Sequence, residues 1–185
     1  MIIGVDEVGR GCWAGPLVAG AVELMGLIDG LTDSKLLSKK KREQLDLLIR
    51  EQAAQFALGW VWPAEIDELG LTEAVRLAMQ RAVDKLTIAD KRIIVDGNIN
   101  YLKDTLGSSC MIKADLTTPE VSAASIIAKV ARDAYMSELA TRHREYGFES
   151  HVGYGTKQHV QALASLGVIH DVHRMSYKPV ARYTL

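Results

Sequence analysis

Short apolar runs that alternate with helix-patterned stretches limit what this chain can become. "MIIGV" and "PLVAGAVEL" open it, and "QFALGWVW" and "RIIVDGN" follow in its middle. These runs are apolar, with β-branched or aromatic residues, and they read as buried strands. Between them, "SKKKREQLDLLIREQAA" predicts a helix with Leu45, Leu48 and Ile49 on one face and Lys39, Lys40, Lys41 and Arg42 at its start. "LTEAVRLAMQRAVDKL" sets Leu71, Val75, Ala78, Met79, Ala82 and Leu86 at helical spacing. "TTPEVSAASIIAKVARDAYMSELATRH" predicts the longest helix, with Thr118 as its cap, Pro119 at its first position and Val121, Ala124, Ala128, Ala131, Tyr135 and Leu139 as its apolar stripe. After "YGFESHVGYGTKQH" a last helix is expected, then a basic tail of His173, Arg174, Lys178 and Arg182. This order predicts an α/β fold with a sheet of mixed direction.

At 185 residues the chain fits one domain able to bury a core without covalent staples. Its 48% hydrophobic and 24% charged residues are ordinary for a globular protein, and a net charge of -1 points to no particular partner. A local basic patch can still exist within that neutral total. Cys12 and Cys110 lack metal-type spacing, which predicts two reduced thiols in a cytoplasmic protein. No signal peptide is legible, and no apolar run is long enough for a bilayer.

Acids punctuate the strands. Asp6 and Glu7 follow Ile2, Ile3 and Val5; Asp96 follows Ile93, Ile94 and Val95; Asp115 comes just after "CMIKA". The carboxyl ends of strands are where open α/β sheets place their chemistry. Four carboxylates gathered there would repel one another unless divalent cations sat between them. An all-oxygen donor set suits Mg2+ or Mn2+ rather than zinc. Two such ions about 3.5–4 Å apart serve phosphodiester hydrolysis. Against this, Asp96-Gly97-Asn98 is also a good turn by itself. Adjacent strand residues point to opposite faces, so Asp6 and Glu7 cannot both ligate by side chain from a regular strand. Either the strand is distorted there or one residue acts through its carbonyl, with Asp6 the central ligand and Glu7 less direct.

Several stretches together carry a resemblance. "VDEVGRGCWAGPLVAGAV", "DSK" at 33–35, "VDGN" at 95–98, "KAD" at 113–115, "SAASIIAKVARD" at 122–133 and "GYGTKQH" at 153–159 resemble, in order, bacterial type 2 ribonuclease H (ribonuclease HII). The resemblance implies a ribonuclease H-like mixed sheet flanked by helices with a C-terminal helical segment. It implies a single catalytic domain, with a core over 1–145 and a substrate-binding segment over 146–185. It implies cleavage of RNA paired with DNA, and cleavage 5′ to a single ribonucleotide within duplex DNA. Asp6, Glu7, Asp96 and Asp115 would be the acidic set that binds Mg2+ or Mn2+. Asp133 is the other candidate for the fourth place, although a helix-surface acid one turn from Lys129 accounts for it better.

The same resemblance assigns Gly9, Arg10 and Gly11 to reading the ribose 2′-hydroxyl, the group that separates RNA from DNA. Tyr154 would pack on the sugar beyond the ribonucleotide, with Gly153 and Gly155 freeing its ring to reach the duplex. Lys35, Thr156, Lys157 and His159 would form a surface along the phosphates, holding register without reading sequence. For Lys39 to Arg42 a solvated helix face is the expectation. Val152 stands where a lysine is expected, and no Gly-Pro turn occurs near 167. The implied partners are RNA–DNA hybrids and ribonucleotide-containing DNA, met by a monomer with no membrane. Alternatives are a type 3-like enzyme acting on hybrids only, a metal-dependent phosphatase on a related fold, and a non-catalytic hybrid-binding module.

Overall fold

All four expected strands form and a fifth joins them, in a computed structural model that describes residues 1–184. β1 (Ile2–Val8), β2 (Leu17–Leu24), β3 (Ala53–Val61), β4 (Arg92–Asp96) and β5 (Ser108–Met111) make one sheet in the order β3-β2-β1-β4-β5. β1 lies antiparallel to β2 and parallel to β4, and β4 lies parallel to β5. The sheet is therefore mixed, and its two parallel junctions bring the carboxyl ends of β1, β4 and β5 to one edge.

Helices cover both faces. α3 (Leu71–Val83) sets Val75, Ala78, Met79 and Ala82 against Ile3, Val5, Ile93 and Val95. On the other face α1 (Lys39–Gln52) and α4 (Pro119–Arg142) enclose Val22, Leu45, Ile49, Ile126 and Ile127. Full burial of Leu45 and Ile49 contributes about 1.5–3 kcal/mol each. Leu48 does not join them: it is 38% exposed, and Asp46 takes the buried place beside Leu45, paired with Arg50. The helix also stops sooner than its sequence predicts, because Ala53 turns extended and pairs with Leu24 of β2.

α4 departs from a simple stripe. Every residue from Val121 to Ala128 is buried, since the helix's first half is pressed between the sheet and α1. Farther along, Arg132, Met136, Leu139 and Ala140 face inward, and Ala131 and Tyr135 lie at the margin. The close seat depends on glycine. A methyl group placed on Gly20 would lie 2.3 Å from the Ala124 carbonyl oxygen, and one on Gly4 2.2 Å from the Glu120 backbone.

A short helix, α2 (Pro63–Leu69), precedes α3, and three more close the chain: α5 (Phe148–His151), α6 (Lys157–Leu166) and α7 (Lys178–Ala181). Their core joins Phe148, Tyr146 and Leu163 to Met136 and Leu139 of α4. The expected basic tail is half internal, for His173 and Arg174 are 1% and 0% exposed. The reason lies in the partners Arg174 finds in the loop after β1, described below. No helix among the described residues is long and apolar enough to cross a membrane.

Candidate active site

Asp6 and Glu7 lie within β1, and Asp96 is the last residue of β4, its neighbour. Pairing of β1 with β2 is regular here, Asp6 opposite Gly20 and Glu7 opposite Ala19. The strand is thus undistorted and the two acids diverge. Asp6 turns toward α4, on the face where Gly4 and Gly20 lie close against that helix. Ser125 of α4 contacts the Ser34 hydroxyl at 2.9 Å, tying the "DSK" segment to that helix. Glu7 meets Arg10 at 3.4 Å. Asp115 sits on a turn of 3-10 helix (Ala114–Leu116) after β5. The Ala114 amide donates to Asp96 Oδ1 at 2.8 Å, fastening that turn to the end of β4. On its other side the Ser122 hydroxyl donates to the Asp115 carbonyl at 2.7 Å.

The electrostatics record crowding. Burial, then Glu7 and Asp96, hold the Asp6 carboxyl well above its ordinary value of 3.8. Burial also raises Glu7, with Arg10 opposing. Asp115 is raised by burial, by Asp96 and by Asp33, with Lys35 opposing. An open cleft of about 630 Å³ is lined by Asp33, Lys35, Asp96, Lys113 and Asp115. The sequence did not mark Asp33 as a site residue. Its carboxylate accepts from the Lys35 amide at 2.9 Å, so in sequence it reads as the cap of a short turn.

This donor set fits a hard divalent cation: only carboxylate oxygens, with Asp6, Glu7 and Asp115 crowded by like charge, beside an open cleft. Among the described residues, no three His, Cys, Asp or Glu side chains close into a group that could enclose an ion unaided. Further ligands would have to be oxygens of water or of a phosphate. Asp133 does not belong here, because it pairs with Lys129 at 2.7 Å on the side of α4.

Next to the acids, the loop from Gly9 to Pro16 is held by two buried arginines that the sequence did not mark as partners. Gly9 has a positive φ of 96°. Arg132 of α4 donates to the carbonyls of Pro16, Ala14 and Val152 at 2.8, 3.0 and 2.8 Å. Arg174 donates to Gly15 at 3.0 and 2.9 Å and to the Arg10 carbonyl at 3.2 Å. Tyr177 also donates to that Arg10 carbonyl, at 2.7 Å. The Trp13 amide donates to the Gly153 carbonyl at 2.8 Å, so the "GYG" loop is stitched to the same segment.

A sequence model for the family described as Ribonuclease HII matches residues 3–180. The chain belongs to the ribonuclease HII family. It is accordingly an endonuclease of the ribonuclease H type, the activity of that family on RNA–DNA hybrids. Ribonuclease HII of Neisseria meningitidis serogroup C is 47% identical over 179 residues, 96% of this chain and 92% of that one. Ribonuclease HII of Shewanella pealeana is 50% identical over 179 residues, 96% and 87% of the two chains. Among solved structures, the ribonuclease H2 of Pyrococcus horikoshii superposes with a TM-score of 0.83 at 28% identity, covering 98% and 96%.

Within this ribonuclease HII chain, Tyr154 is 41% exposed, and a methyl group on Gly11 would lie 3.8 Å from its ring. Gly153 and Gly155 have a different duty from the expected one. Added methyl groups would meet the Ala14 carbonyl at 2.3 Å and the Trp13 ring at 2.2 Å. They seat the loop against the segment after β1 rather than freeing the tyrosine. Val152 takes a left-handed conformation with φ 44° and packs on the Phe148 cluster, which explains an apolar residue there. Lys35, Thr156 and Lys157 are exposed, whereas His159 is fully buried and has no phosphate surface to join. Lys39, Lys40 and Lys41 are solvated, and Arg42 is turned back on the Ser34 and Leu37 carbonyls at 2.9 and 2.5 Å.

Proposed function

We propose that this chain cuts the RNA strand of hybrids and also the bond 5′ to a single ribonucleotide embedded in duplex DNA. The products carry 3′-hydroxyl and 5′-phosphate ends. The supporting observation is adjacency: the exposed Tyr154 ring stands beside Gly11, four residues after the paired acids of β1. A ring able to stack on a sugar, a loop able to read a hydroxyl and a carboxylate cluster thus share one short stretch of surface.

In this reading Asp6, Glu7, Asp96 and Asp115 are the catalytic acids and would hold Mg2+ or Mn2+. Such ions activate water and stabilise the oxygen that leaves the phosphorus. The protein's own part is arrangement. The Glu7 amide, 2.8 Å from Asp6 Oδ1, fixes the Asp6 carboxylate. Glu7 diverges from Asp6 and contributes less directly, its side chain engaged with Arg10. Gly9, Arg10 and Gly11 form the ribose-reading loop. The Arg10 carbonyl is already taken by Arg174 and Tyr177, so the hydroxyl meets the groups around Gly11 instead. Lys35, Thr156 and Lys157 bind phosphates without reading sequence. Residues 1–145 carry the chemistry and 146–185 the substrate-binding segment of one catalytic domain. The protein works as a cytoplasmic monomer, in keeping with its two free thiols.

The test is cleavage of a labelled duplex carrying one ribonucleotide, beside an all-DNA duplex and a long hybrid, in Mg2+ and then in Mn2+. One cut immediately 5′ to the ribonucleotide, absent in Asp6→Asn and in metal-free buffer, is expected. Cleavage of the hybrid alone would replace the proposal with a type 3-like specificity. Tyr154→Ala should lower the preference for the single ribonucleotide while the protein remains folded by circular dichroism; an unchanged preference removes its recognition role.

A further inference from the structure

Behind the Tyr154 loop three imidazoles pack together, and the assignment above leaves them without a task. His151 of α5, His159 of α6 and His173 are 6%, 0% and 1% exposed. The rings of His151 and His159 stack at 4.5 Å with 14° between their planes. Stacked rings do not aim their lone pairs at one point, as metal ligands must.

Hydrogen bonds decide where each proton sits. The Ile169 amide donates to His173 Nδ1 at 2.9 Å, closer than the 3.4 Å from that nitrogen to the Ile169 carbonyl. The proton of His173 is therefore on Nε2, which faces His159 Nε2 at 3.1 Å. His159 must accept there, so its own proton is on Nδ1, donating to the Tyr154 carbonyl at 3.0 Å. His151 accepts from the Gly153 amide at 3.2 Å and donates to the Tyr146 carbonyl at 2.8 Å. Every link runs one way, from the Ile169 amide through two neutral rings to the backbone of Tyr154.

We propose that His173 and His159 are positioning residues, a polarised imidazole pair that holds the Tyr154 carbonyl and so sets the recognition ring beside Gly11. This rests on the recognition role given to Tyr154 above. A second proton on His159 would set donor against donor at the 3.1 Å contact, and one on His173 would set Nδ1–H against the Ile169 amide at 2.9 Å. The surroundings oppose that proton. His151 and His143 are the titratable groups acting on the pair, Tyr146 and Tyr154 border it, and Trp13 and Phe148 close its sides. Arg132 and Arg174, the buried cations of this region, are turned onto the Val152 and Gly15 carbonyls. Burial accordingly lowers both His159 and His173 to about 4.

The test compares the ratio of kcat/KM for a single-ribonucleotide duplex to that for a long hybrid in wild type, Tyr154→Ala, His173→Phe and His173→Gln. Nitrogen-15 NMR of the wild-type imidazoles accompanies it. His173→Phe should lower the ratio about fivefold to tenfold, the scale of one lost buried hydrogen bond. His173→Gln, with an amide donor and a carbonyl acceptor, should restore it. NMR should show His159 as the Nδ1–H tautomer and His173 as Nε2–H, both neutral until about pH 4. A ratio that moves in Tyr154→Ala but not in His173→Phe overturns this proposal alone. A ratio unmoved in Tyr154→Ala overturns the recognition role and this proposal with it. Should His173→Phe fail to fold, an Nε2–H tautomer at His159 in the wild type overturns the proposal by itself.

Discussion

A carboxylate shut away from water beside other carboxylates resists ionisation, and Asp6 is in that position. An acid whose folded value is raised binds its proton more readily in the folded state. Its contribution to stability is full below 3.8 and is lost as pH rises through the raised value. At neutral pH this buried acid therefore weighs against the fold, and function keeps it. Asp6→Asn should raise the Tm at pH 7 by about 2–4 °C, as a gain of ~1 kcal/mol would. Calorimetry should show that gain shrinking as pH falls toward 4, while cleavage is lost throughout. Divalent cation should raise the wild-type Tm more than that of Asp6→Asn. At this scale much was legible. Asp6 follows the apolar run of β1 and Asp96 ends β4, so both declare themselves, whereas Asp33 hides in a turn-capping sequence.

Seating α4 on the sheet converts side-chain identity into site geometry. Gly20 lies opposite Asp6 and directly under Ala124, one residue before Ser125. A methyl group at Gly20 must push the helix backbone away, and with it the wall of the site against which Asp6 is packed. Gly20→Ala should cost about 1–3 kcal/mol in urea unfolding, with cleavage reduced as well. Gly26→Ala, which would meet nothing within 4 Å, should stay within about 0.5 kcal/mol and serves as the comparison. The start of this helix was readable from Thr118 and Pro119, yet its inward face was not. Arg132 occupies a core position because three carbonyls await it, and no hydrophobic periodicity registers a carbonyl.

The two halves of the molecule are joined through the loop after β1. Arg174 reaches Gly15 from 159 residues away and shares the Arg10 carbonyl with Tyr177. Arg174→Met would orphan the buried Gly15 carbonyl and should cost about 1–3 kcal/mol. Arg174→Lys should recover only part of this, lacking the planar fork. Stability should also depend on pH through His159 and His173, with a sign opposite to that of Asp6. Their folded values of about 4 lie below the ordinary 6.5, so the contribution is full above 6.5 and lost as pH falls through about 4. Urea unfolding between pH 7 and 4 should show the decline, and His173→Gln should lessen it.

Strand and helix identity, caps and the acids at strand ends were determined locally, by propensity and spacing within a few residues. Those signals sufficed for the mixed sheet and for naming Asp6, Glu7, Asp96 and Asp115 as candidates, though not Asp33. The partners of Arg132, Arg174, His159 and His173 were decided only when the chain closed on itself. Arg132 meets Pro16 across 116 residues, and nothing in the intervening sequence carries a trace of that bond. Polar groups in a core are chosen by whatever unpaired donor or acceptor the fold leaves beside them, and that neighbour is a property of the tertiary structure.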